Sequence, residues 1–78
     1  MIARRAAEDI IQATADCHGI NVAALKTHLN TRELVAARRD AAKQLHDGGF
    51  ADRLIGQLLG GFERSTIHYL RKGKGQKP

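Results

Sequence analysis

Four consecutive side chains, Glu63-Arg64-Ser65-Thr66, follow a pair of glycines, Gly60-Gly61, and this order carries the most chemistry in the chain. A carboxylate accepts from the N4 amine of cytosine, and a guanidinium forks onto O6 and N7 of guanine. Serine and threonine hydroxyls bond bases or phosphates, and the Thr66 methyl can touch that of thymine. The glycines supply positive φ, which a tight turn between two helices needs. Gly56 on the preceding helix would allow close approach of the next. The pattern reads as a helix-turn-helix whose second helix turns its first residues toward base edges in the major groove. The competing reading is local: Glu63 complements the helix dipole, and Ser65 and Thr66 act as cap-like residues.

The charge distribution favours a polyanion partner. The first thirty residues balance three bases against three acids, so the whole net charge of +5 lies in the rest of the chain. Arg32, Arg38, Arg39 and Lys43 crowd one predicted helix, and Arg71 and Lys72 close another. A basic half on a small domain suits a phosphate backbone. Ordinary surface lysines and arginines kept for solubility would look similar on charge alone.

The elements that must position these groups are legible as helices. Ala6, Ala7, Ile10, Ile11, Thr14 and Cys17 recur at helical spacing, so a helix is expected from about Ala3 to His18, stopped by Gly19. Asn21 can cap a short turn from Val22 to about His28. Asn30 stands three residues before Glu33, a capping-box spacing, with Leu29 and Leu34 placed as a hydrophobic staple. The helix it opens should run from Thr31 to Asp47, bury Leu34, Ala37, Ala41 and Leu45, and stop at Gly48-Gly49. Phe50 should anchor the core. Ala51 to Leu59 and Glu63 to Arg71 form the last two helices, with Leu54, Ile55, Leu58, Leu59, Ile67 and Leu70 facing in. The fold class is all-α, a compact bundle of about five helices. The domain is expected to span 1–72, with 73–78 a flexible basic tail.

Several chemistries are excluded or disfavoured. Cys17 is the sole cysteine, so no internal disulfide can form; on an apolar helix face it would be a buried small hydrophobe. His18, His28, His46 and His68 show no zinc-ligand spacing with it. No nucleophile-base pattern is present, and no cofactor is expected. No apolar run approaches the roughly 18 residues of a membrane span, and Met1–Arg5 is not followed by a signal-peptide stretch. A cytoplasmic, nucleoid-associated, non-enzymatic protein is the expectation.

The segment Ile55-Gly56-Gln57-Leu58-Leu59-Gly60-Gly61-Phe62-Glu63-Arg64-Ser65-Thr66-Ile67 resembles the signature of the C-terminal DNA-binding domain of the bacterial replication initiator DnaA. That signature reads approximately I-G-x-x-F-G-G-R-D-H-T-T-V. Ile55, Gly56, Gly60, Gly61 and Thr66 match it, and Leu59, Glu63, Ser65 and Ile67 are conservative. Ile10-Ile11, Val22, Leu25-Lys26, Arg32-Glu33 and Ala37-Arg38-Arg39 extend the likeness to nearly the whole chain. The resemblance implies a DnaA domain IV-like, Trp-repressor-like helix-turn-helix fold. It implies base contacts from Glu63, Arg64, Ser65 and Thr66, and a minor-groove arginine from the basic region. Arg38 and Arg39 both fit that role, the first matched from upstream and the second from Ala42 and Leu45 downstream. Arg32, Lys43, His68, Arg71 and Lys72 would contact phosphate. Phe62 and Arg64 stand where the family has arginine and histidine, which argues for a target other than the standard initiator box. No G-x-x-x-x-G-K-[ST] loop is present, so ATP binding in the initiator's manner is not expected.

The expected function is therefore sequence-specific binding of double-stranded DNA, in transcription or replication control, by a stand-alone protein of phage or mobile-element type or by a DNA-binding domain of a longer protein. A homodimer on DNA would be compatible. A protein-interaction module docking a host regulator on the same basic face is the alternative. A membrane-surface helix is disfavoured, because the Arg-rich helix lacks aromatic anchors.

Overall fold

The computed structural model describes residues 2–72, with side chains from residue 5 onward; the expected basic tail, 73–78, lies outside the described residues. Five helices follow one another: α1 (Ile2–Cys17), α2 (Val22–Leu25), α3 (Arg32–Asp47), α4 (Asp52–Leu58) and α5 (Arg64–Lys72). No strand occurs among the described residues. The all-α bundle expected from periodicity is the fold observed.

Helix α3 is the central element and packs against each of the other four. Its inner face is mostly alanine, with Ala37, Ala41 and Ala42 fully buried beside Leu34 and Leu45. Small side chains let neighbouring helices approach closely, at the cost of little apolar area per residue. The volume comes from Ile11, Leu25, Ile55, Leu58, Leu59 and Ile67, joined at the edge by Phe50, Phe62 and Leu70.

Three local expectations are corrected. The core stripe of α1 centres on Ala7, Ile11, Thr14 and Ala15, which leaves Ala6 and Cys17 exposed. Thr14 is tolerated inside because its hydroxyl donates to the Ile10 carbonyl at 2.8 Å. Alanines on both sides of Ile10-Ile11 blur the pattern, so sequence alone rotates the stripe too far toward Cys17. Helix α2 ends at Leu25, earlier than expected, and the Leu25 and Thr27 carbonyls turn inward to meet Arg38. The cap of α3 is Thr31, not Asn30: Thr31 Oγ1 accepts from the Leu34 amide at 3.2 Å. With the cap shifted, Leu29 forms no staple and stays 61% exposed.

The cap assignment is directly testable. Thr31→Ala should lower stability by about 1 kcal/mol, whereas Asn30→Ala should stay within roughly 0.5 kcal/mol of the parent. Urea unfolding of the two variants checks this, and the reverse order would restore Asn30 as the cap.

Candidate nucleic-acid interface

The turn between α4 and α5 is closed by the backbone. The Gly61 and Phe62 amides both donate to the Gly56 carbonyl, at 2.8 and 2.9 Å, and the Gly60 amide reaches the Gln57 carbonyl at 3.4 Å. This is a Schellman-type ending, with Gly60 at φ +114° just past the last helical turn. Gly56 is buried inside α4, where the Phe62 backbone lies against it. Glu63 then takes the cap position of α5, its carbonyl accepting from the Ile67 amide at 3.1 Å. Ile67 is fully buried and fixes the helix to the core. Glu63, Arg64, Ser65 and Thr66 are all exposed as a result.

Behind the turn stands a stack that the sequence did not announce. The Phe62 ring lies on the His28 ring, centroids 4.2 Å apart and nearly parallel at 10°. The Arg38 guanidinium carbon sits 5.2 Å from the centre of the same Phe62 ring. His28 Nε2 donates to the Gly60 carbonyl at 2.8 Å. Arg38 Nε donates to the Leu25 carbonyl at 3.0 Å, and its Nη2 donates to the Thr27 carbonyl. One cation thus ties α3 to the α2–α3 loop, and that loop to the turn. Burial makes the charged form of Arg38 harder to keep and lowers its pKa from the usual arginine value. Arg38 is 1% exposed, so its assignment as a minor-groove arginine is corrected. To reach DNA it would have to leave the buried Leu25 carbonyl and the part-buried Thr27 carbonyl without their donor.

Helix α3 sorts its surface charge into two stripes. Arg32, Arg39 and His46 repeat every seven residues, with Lys43 one turn beyond Arg39. Glu33, Asp40 and Asp47 repeat with the same spacing one residue later. The contacts orient both stripes. Arg39 Nε donates to the Leu70 carbonyl of α5 at 3.3 Å, so the basic stripe borders α5. Asp40 Oδ2 meets His18 Nε2 at 3.1 Å, so Asp40 borders the end of α1. Arg32 and Lys43 are exposed and Arg39 is half-buried.

At the far end of α5, Lys72 is exposed and His68 is largely so. Arg71 is different. Its Nε and Nη2 donate to the two carboxylate oxygens of Asp52 at 2.9 and 3.0 Å, and Nη2 also lies 3.2 Å from His68 Nδ1. The pair joins the start of α4 to the end of α5, with both side chains under one-fifth exposed. Arg71 is therefore corrected from a phosphate contact to a clamp on the helix pair.

The Arg71 hydrogen bonds hold the Asp52 carboxyl below its usual pKa. Asp40 is lowered by its bonds to Gln44 and His18. A carboxylate with a depressed folded-state value stabilises the fold above the ordinary carboxylate range and loses that contribution as pH falls through the depressed value. Stability should be flat from pH 7 to about pH 5 and decline below about pH 4. Asp52→Asn should make the decline shallower in urea titrations across that range. An unchanged pH profile would remove Asp52 from the account.

Arg53 and Gln57, one turn apart on α4, line an open depression of about 410 Å³ with Phe62, Glu63 and Arg64. Sequence reasoning passed over both. Their signal was available: they are the polar positions of a helix whose other residues are mainly apolar. Arg53 is exposed and adds a cation on α4 beside Arg64. No group of metal-ligating side chains occurs among the described residues.

No family model matches the chain, and comparisons with curated proteins and with solved structures also return no match.

Proposed function

We propose that this domain binds double-stranded DNA sequence-specifically, with the first turn of α5 in the major groove. The observation that carries the reading is the exposed Glu63–Thr66 edge, held outward by the glycine turn on a helix whose far end meets Arg39 of the basic stripe of α3. Glu63, Arg64, Ser65 and Thr66 read bases. Arg39 is the remaining basic-region candidate for the minor groove. Arg32, Lys43, Arg53, His68 and Lys72 face phosphates. The resemblance to the DNA-binding domain of DnaA supports the same roles, and regulation of transcription or replication is the use such binding would serve. Asp40 of α3 is turned toward His18 at the end of α1.

Selection from a random duplex library tests the reading. A defined site should emerge, and Arg64→Ala should relax preference at one position at a cost of about 1–3 kcal/mol if the fork contacts guanine. Affinity should fall with salt at a log-log slope of about −0.9 per phosphate neutralised, near −3.6 if Arg32, Lys43, Arg53 and Lys72 each hold one. Equal binding of all duplexes before and after the substitution would exclude base reading by Arg64. Absence of any duplex binding at low salt would favour an acidic protein partner on the same face.

A further inference from the structure

Tyr69 is 74% exposed, the largest exposure among the bulky hydrophobic side chains of the described residues. It stands four residues after Ser65 and three after Thr66, so the three share the outer face of α5, away from buried Ile67. Lys72 follows three residues later on the same stripe. The other members of this stripe are polar, and the ring adds little to the core at such exposure. Aromatic side chains are enriched where a protein meets a partner, since they bring contact area at low conformational cost.

We propose that Tyr69 is a further specificity-determining residue of the interface, with its ring packed on the C5-methyl of a thymine. The inference rests on the duplex-binding reading. Its chemistry follows from the groove: among the base edges of the major groove, the thymine methyl is the apolar feature an exposed ring can cover. One helical turn advances about 5.4 Å. The ring therefore falls one or two base pairs, at about 3.4 Å each, from the bases facing Ser65 and Thr66. The cationic surroundings, with Lys72 on the same stripe, suit a phosphate-bearing occupant.

A thymine-to-uracil scan tests this on the duplex selected by the wild-type domain, because uracil removes only the methyl. Wild-type affinity should fall about fourfold at one thymine, the effect of losing one buried methyl. Tyr69→Ala should weaken binding to the unmodified duplex and lose that sensitivity, with the salt slope unchanged because no charge is removed. Tyr69→Phe should keep the uracil penalty. Circular dichroism of both variants should match the parent, since the side chain is exposed. The proposal is overturned if Tyr69→Ala shows the wild-type penalty, if wild type is indifferent to every substitution, or if the selected site has no thymine in the contacted stretch. Failure of the wild-type domain to bind duplex DNA at all would instead remove the reading beneath it.

Discussion

Gly60→Ala is expected to unfold the domain, whereas Gly61→Ala should leave it folded. Both residues have positive φ, +114° and +89°. A side chain at either position meets a conformational penalty of about 1–2 kcal/mol. Only at Gly60 is there a second cost. A Cβ there would overlap the Lys26 carbonyl oxygen and stand 2.8 Å from its carbon. Both are backbone atoms of the segment that carries the Leu25 and Thr27 carbonyls to Arg38, so neither can yield cheaply. Around Gly61 nothing lies within 4 Å of the added atom. A domain of 78 residues has about 4–12 kcal/mol of stability to lose. Overlap with fixed backbone plus the conformational cost would consume much of it, and the turn would open first. Thermal unfolding followed by circular dichroism should show Gly61→Ala folded with a reduced Tm. Gly60→Ala should show no cooperative transition, or one far lower. Equal behaviour of the two variants would mean that the loop does not back the turn at Lys26.

The second large effect is expected at Arg38. Truncation to alanine leaves the Leu25 and Thr27 carbonyls without their donor, removes the cation from the Phe62 ring and opens a void in the core. Large-to-small changes in a core cost about 2–5 kcal/mol, and each orphaned buried acceptor adds about 1–3 kcal/mol. Loss of at least about 3 kcal/mol is expected from urea unfolding, the Leu25 carbonyl being the buried acceptor of the two, and this approaches the lower bound of the total. Arg38→Met separates the contributions: it keeps the stem volume and should recover part of the loss, but not the carbonyl bonds. Arg39→Ala, one residue on, should change stability little and act on DNA affinity and its salt slope. If Arg38→Ala were as stable as the parent while Arg39→Ala unfolded, the assignment of the two arginines would be reversed.

These neighbouring arginines also mark where the sequence stops being readable. Helices α1, α3, α4 and α5 follow from apolar spacing and glycine stops, because a period of 3.6 residues is a property of the chain itself. The exposed first turn of α5 is legible from composition: it is polar and begins just after Gly60-Gly61-Phe62. Arg38 is not. Its neighbours Ala37, Ala41 and Ala42 place it on the inner face, but an arginine there is assumed exposed unless a partner is known. Its partners are carbonyls at the end of α2, more than ten residues away, and no pattern in the sequence announces them. The Asp52–Arg71 pair is hidden similarly, since it links residues 19 positions apart. Asn30 misled through a capping-box spacing that Thr31, equally able to cap, takes over one residue later.

The arrangement separates two kinds of basic residue. Arg38 and Arg71 are used internally, one to hold the loop behind the turn and the other to lock α5 onto α4. Arg32, Arg39, Lys43, Arg53, Arg64 and Lys72 remain at the surface. Binding should therefore depend on the second set through charge, and on the first set only through folding. Charge-reversal at a surface site should alter affinity at constant Tm, which an internal residue cannot do.

The most direct test is an amide chemical-shift map of the isotope-labelled domain titrated with duplex DNA at low salt. The largest changes should fall on Gly61 to Thr66 and on the Arg32–Lys43 stretch that borders α5. The outer face of α1, around Asp9, Gln12 and Asp16, should stay still. Changes centred on α1, or none at any duplex concentration, would contradict the placement of DNA against α5.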